Sequence, residues 1–153
     1  MNYGTLHQTQ VCSTPVTCNQ WSEVTSLWRS QPWVTDATRS LARISSLKSD
    51  WDGQGSPPPI RAAFEAMNQV VRELDAYDLP SPHISPVSGG GLGIEWHEGQ
   101  RSLTIEILPD GSIEYLKLEN DSQLSGCENM EDGVVPLDRL NEVRSLARWL
   151  LNG

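Results

Sequence analysis

The alternation of apolar and polar residues between Leu92 and Leu118 constrains this 153-residue chain more than any other feature. Leu92, Ile94 and Trp96 alternate with Gly93, Glu95 and His97; after a Gly99-Gln100 pair, Leu103 and Ile105 alternate with Ser102, Thr104 and Glu106. A period of two turns successive side chains to opposite faces of a strand, so the stretch reads as a sheet with one buried side. Glycine at the first position of a two-residue connection suits a type II′ turn, whose twist matches the flanking strands. That turn sets Trp96 opposite Leu103 and Ile94 opposite Ile105, and both apolar sets then share one face. Turn chemistry and hydrophobic register agree, which is strong evidence for a hairpin.

The next connection, Leu108-Pro109-Asp110-Gly111, has two readings. Asp110-Gly111 as a type I′ turn puts Leu116 and Leu118 on the core face. Pro109-Asp110-Gly111 as a type I turn with a glycine bulge puts Ile113 and Tyr115 there instead. The bulge is preferred, because proline favours the first central position of a type I turn. In either register one apolar pair is left on the opposite face. A shorter strand over 84–87 precedes Ser88-Gly89-Gly90-Gly91, which gives strands at about 84–87, 92–98, 101–108 and 112–119.

Helical periodicity brackets this meander. Trp21, Val24, Leu27 and Trp28 suggest a short helix over 21–30 that stops before Pro32, and Ala37, Leu41 and Ile44 one over 36–48. Ser56 before Pro57 reads as a helix start, with Ile60, Phe64, Met67, Val70, Val71, Leu74 and Tyr77 forming the inward stripe of a helix over 57–77. A last helix over 136–151 turns Leu137, Leu140, Val143, Ala147 and Leu150 inward. The expected fold is α+β: a three- to four-stranded antiparallel meander packed on one face by helices, closed by a C-terminal helix. One domain spans 21–153, and residues 1–20, without periodicity, form an irregular arm.

The formal charge of −9 is unevenly placed. Between Asp78 and Asp132 there are eleven acids against two bases, Arg101 and Lys117, while the remaining nine acids and nine bases balance. The whole excess falls on the sheet and on the aperiodic stretch 119–133, read as an acidic loop. Such a surface repels phosphate backbones and attracts basic ones, so direct nucleic-acid binding is disfavoured and a basic protein partner is favoured. The alternative is that the charge serves only solubility. No stretch approaches a membrane span, and residues 1–20 lack the basic start and apolar run of a signal peptide. A cytoplasmic location with reduced thiols is therefore expected for Cys12, Cys18 and Cys127. Cys12, Cys18 and His7 are too widely spaced for a zinc knuckle.

Catalytic patterns are weak throughout. The run Gly89-Gly90-Gly91-Leu92-Gly93 leads into no helix and so reads as a hairpin turn, not a phosphate loop. Ser81, Ser85 and Ser88 lack a nucleophile-elbow context. Glu95, His97 and Glu106, joined by Glu114 in the bulge register, share one sheet face and could bind a metal or act as acid and base. The same pattern describes the solvent side of a half-buried sheet. Asp50 and Asp52 are accounted for by a turn whose carboxylates accept nearby backbone N–H groups. No cofactor is expected.

Two segments together carry a resemblance: Trp51-Asp52-Gly53-Gln54-Gly55, with a proline soon after, and Gly90-Gly91-Leu92-Gly93-Ile94-Glu95-Trp96, followed by a strand ending in Asp110-Gly111. The chain resembles, over about 41–118, a group of small bacterial and mobile-element proteins with a Trp-Asp-Gly-x-Gly turn and a Gly-Gly-x-x-x-Glu-Trp hairpin. The resemblance implies no activity and assigns no functional residue. The expectation drawn from the residues is a non-catalytic module that meets a basic surface, such as that of a nucleic-acid-handling machine, in an inhibitor, antitoxin or anti-defence role. Its contact residues are expected to be Glu95, Glu106, Glu114, Glu119, Asp121, Glu128, Glu131 and Asp132. Two alternatives are an enzyme using Glu95, His97 and Glu106, and a self-associating module burying Trp21, Trp28 and Trp33.

Overall fold

The computed structural model describes residues 30–120 and 128–152. The irregular arm, the helix expected over 21–30, all three cysteines and Asp121 lie outside the described residues.

Helix α1 spans Pro32–Ile44, starting four residues before the expected position. Pro32 opens this helix, where its missing N–H and fixed φ cost nothing. The residue before it, Gln31, donates its backbone N–H to Asp75 Oδ1 at 2.9 Å. The early start brings Trp33 onto the buried stripe with Ala37, Leu41 and Ile44. Helix α2 spans Arg61–Leu74 rather than beginning at residue 57. Each proline biases its predecessor away from helical backbone, so Pro57-Pro58-Pro59 stays extended and Ile60 becomes the flanking residue, at φ −86° and ψ 162°. Ala63, Met67, Val70 and Leu74 are fully buried along its length.

The sheet has five antiparallel strands in chain order: β1 (His83–Val87), β2 (Gly91–Glu98), β3 (Arg101–Ile107), β4 (Ile113–Asn120) and β5 (Glu128–Val135). Ile94 pairs with Ile105 and Trp96 with Leu103, as turn chemistry requires, and Gly99 has φ +58°. The second turn takes the bulge form. Gly111 has φ +84° and donates its N–H to Leu108 O at 2.9 Å, while Leu108 N–H bonds Ser112 O at 2.9 Å. Ile107 then pairs with Ile113 and Ile105 with Tyr115, which leaves Leu116 and Leu118 on the other face.

Strand β5 corrects the expectation of three to four strands. It occupies much of the stretch read as an acidic loop, and pairs along its whole length with β4. Glu128-Asn129-Met130-Glu131-Asp132-Gly133 is poor in β-branched residues, so it carries no period-two signal. An edge strand with little to bury tolerates that composition, and its charges discourage unwanted pairing. After it come a 3₁₀ segment (Leu137–Glu142) and helix α3 (Val143–Asn152), so the C-terminal α-helix starts later than residue 136 and Leu137 stays exposed.

Sheet residues of one parity (Ile84, Leu92, Ile94, Trp96, Leu103, Ile105, Ile107, Ile113 and Val135) are buried together with the inward stripes of α1, α2 and α3. At the centre of this core Trp33 and Trp96 meet edge to face, ring centroids 5.8 Å apart, and Trp33 Nε1–H donates to Tyr77 O at 2.9 Å. Trp33, 1% exposed, is therefore core and takes no part in a self-association surface. None of the described helices is long and apolar enough to cross a membrane.

Candidate functional site: the outer face of the sheet

Because the helices pack against one parity, the opposite parity forms a second face. Register places His83, Glu95, Thr104, Leu116 and Asp132 in one row across the five strands. Ser85, Gly93, Glu106, Glu114 and Val134 form the next row, and His97, Ser102, Leu118 and Met130 another. Four acids with described side chains stand on this face, and no lysine or arginine of the described strands does. Glu106 lies directly opposite Glu114, a like-charge pairing that destabilises a sheet. Neither has an ion-pair partner among the described residues. Beside the acids lies an apolar strip. Leu116 and Leu118 are half-buried, while Met130 and Val134 are 68% and 60% exposed.

Both sheet cations turn the other way. Lys117 pairs with Leu103 on the core side, its ammonium 5.0 Å from the centroid of Trp149 in α3 and 2.6 Å from Glu131 Oε2. Arg101 lies over the same ring at 5.7 Å and binds Glu119 Oε1 through Nη2 at 2.7 Å and through Nε at 2.8 Å. The hydrogen bond from Lys117 holds the Glu131 carboxyl below its ordinary range. Tyr115 donates its hydroxyl to the same Glu131 at 3.2 Å, and burial, followed by that carboxylate, pushes the phenol up.

The eight acids expected to form one surface thus divide. Glu95, Glu106, Glu114 and Asp132 share the outer face. Glu119 and Glu131 sit on the inner parity, neutralised by Arg101 and Lys117, and do not join them. Glu128 holds the outer-parity register position opposite Asn120, and Asp121 is outside the described residues. Sequence reasoning did not list Leu116, Leu118, Met130 and Val134 as site residues. The unavoidable leftover pair on the outer face was the signal for the two leucines.

No protein-family model matches this chain, and no curated protein or solved structure matches it either.

The two motif segments meet away from this face, and their bonds are structural. Asp50, at φ +65°, accepts Gly55 N–H at 2.7 Å; Asp52 accepts Gln54 N–H at 2.9 Å and the Ser56 hydroxyl at 2.5 Å. The Ser56 bond, before any other contact, lowers the Asp52 carboxyl from its ordinary value. Ser56 was expected to cap a helix; its hydroxyl instead lies 2.9 Å from Ser88 Oγ, and Ile60 N–H donates to Gly90 O at 3.0 Å. A Cβ on Gly90 would approach Ile60 Cγ2 to 3.2 Å. The Trp-Asp-Gly-x-Gly turn is therefore stapled to the β1–β2 hairpin, with Asp52 bonded to the Ser56 that makes the joint and Asp50 closing the turn itself. On the outer face, Glu95 Oε1 lies 3.0 Å from His97 Nε2. No group of three His, Cys, Asp or Glu among the described residues is placed to hold a metal ion.

Proposed function

We propose that this protein is a non-catalytic binding module whose outer sheet face engages a basic surface on another protein. One observation carries the reading: the sheet segregates its charges, with Glu106, Glu114 and Asp132 outward and without an ion-pair partner among the described residues, and both cations inward on Trp149. Keeping Glu106 opposite Glu114 costs stability with no compensation inside the described structure, and a cationic partner supplies that compensation. The apolar strip beside them has the make-up of an interface centre, and the acids that of its rim. Proteins that handle nucleic acids carry the basic surfaces such a face suits, so inhibition of such a machine is the favoured role. The repulsion of phosphates argues for contact with the protein, not with its nucleic acid.

The experiment is capture of a partner, followed by titration with salt and by the paired substitutions Glu106→Gln and Glu114→Gln. Affinity is expected to fall about tenfold or more for the double variant, equivalent to ~1.4 kcal/mol or above. Binding that is unchanged by those substitutions and persists at about 0.5 M salt, where screening leaves little long-range attraction, would sink the reading.

A further inference from the structure

The two edges of the sheet are built differently. Strand β1 has five residues, contains Pro86, and its Ile84 and Pro86 line a groove with Arg43, Ile44, Leu47 and Trp51. A proline cannot donate to a ladder, and short strands offer few positions, so this edge is blunted. Strand β5 has eight residues and no proline until Pro136 follows it. Among the described residues no strand lies beyond it. Along an antiparallel edge every second residue presents its N–H and C=O outward. What guards β5 is charge. On its outer parity Asp132 stands between Met130 and Val134, exposed and without an ion-pair partner among the described residues.

We infer that β5 accepts an extended basic segment of the partner as a sixth strand. The inference rests on the proposed function, since it takes the partner to be cationic. Main-chain bonds supply affinity in strand addition, and side chains at alternate positions supply selectivity. A strand laid beside β5 would set apolar residues next to Met130 and Val134 and a lysine or arginine next to Asp132. The recognised pattern is thus apolar-x-basic-x-apolar, which reads the same in either strand direction. A second copy of this chain is the disfavoured occupant, because β5 against β5 brings its acids near one another, and like charges across a ladder are destabilising.

The probe is a capped seven-residue peptide in which valine, lysine and valine alternate with threonine, added to the full-length protein. Binding is read by fluorescence anisotropy, and hydrogen exchange is followed at the β5 amides. Expected are saturable binding, slower exchange at alternate β5 amides, about tenfold weaker affinity for Asp132→Lys, and loss of binding when alternate peptide nitrogens are methylated. Asp132 is exposed, so its replacement does not threaten folding, and the methylated peptide leaves the protein untouched. Absence of binding at millimolar peptide, or binding indifferent to N-methylation, would overturn the inference, as would a concentration-dependent dimer with β5 amides already protected. The outcomes separate the two claims. Peptide failure with partner binding still sensitive to Glu106 and Glu114 removes only the sixth strand, whereas peptide binding with an indifferent partner removes the proposed function.

Discussion

The two faces of one sheet follow opposite rules. The inner face buries Trp96, Leu103 and Ile105, and even its cations are covered: Lys117 keeps only 13% of its side chain exposed, between an indole and a carboxylate. The outer face leaves Met130 and Val134 in the open and sets Glu106 against Glu114. Both faces come from the same backbone and the same hydrogen bonds, so the difference is carried by side chains alone. One face is arranged for folding, and the other holds features that folding would not select.

The largest test of that contrast is a matched pair of truncations. Trp33→Ala is expected to cost ~3–5 kcal/mol in denaturant unfolding, because it empties the edge-to-face contact with Trp96. Met130→Ala is expected to change stability by less than about 0.5 kcal/mol, as for most exposed positions. Similar losses from both would erase the distinction between the faces. A smaller effect concerns how β5 is seated. A Cβ on Gly133 would come within 2.7 Å of the Tyr115 hydroxyl, so Gly133→Ala is expected to cost ~1–3 kcal/mol by displacing that ring. Adding Tyr115→Leu should recover part of the loss, and a purely additive double variant would show that the ring is not the cause. The smallest effect has the opposite sign. Glu106→Gln removes half of a like-charge pair and should raise stability by ~0.2–1 kcal/mol while weakening partner binding. A thermal melt in which Glu106→Gln lowers the midpoint would show that this acid is structural after all.

Much of the inner face was legible in the sequence, because two independent signals agreed there. The Gly99-Gln100 turn and the apolar alternation demanded one register, and proline at the first central position of the next turn decided the following one. Where a residue has two uses, legibility ended. Pro32 can begin a helix as well as stop one, and the expectation of a start at residue 36 missed that it opens α1 and brings Trp33 into the core. Ser56 can cap a helix or bond a neighbouring side chain, and the carboxylate of Asp52 wins it. Strand β5 was illegible because an edge strand buries little. Met130, Val134 and Val135 are too few to establish a period, and main-chain pairing with β4 forms it regardless. The acidic surface was over-read for a related reason. Composition counted Glu119 and Glu131 with the rest, whereas parity set them beside Arg101 and Lys117.

The order of the strands has a further consequence, for the time course of folding. Each strand pairs only with the next along the chain, so the sheet can close as a succession of hairpins without a costly long loop. Proteins whose contacts are local fold faster than those that must first join distant segments. The long closures are left to the helices: Trp33 of α1 meets Tyr77 across 44 residues, and Arg144 of α3 meets Glu73 of α2 across 71. The sheet is thus assembled from neighbours, and the distant parts of the chain are joined only where helices dock on it and on one another.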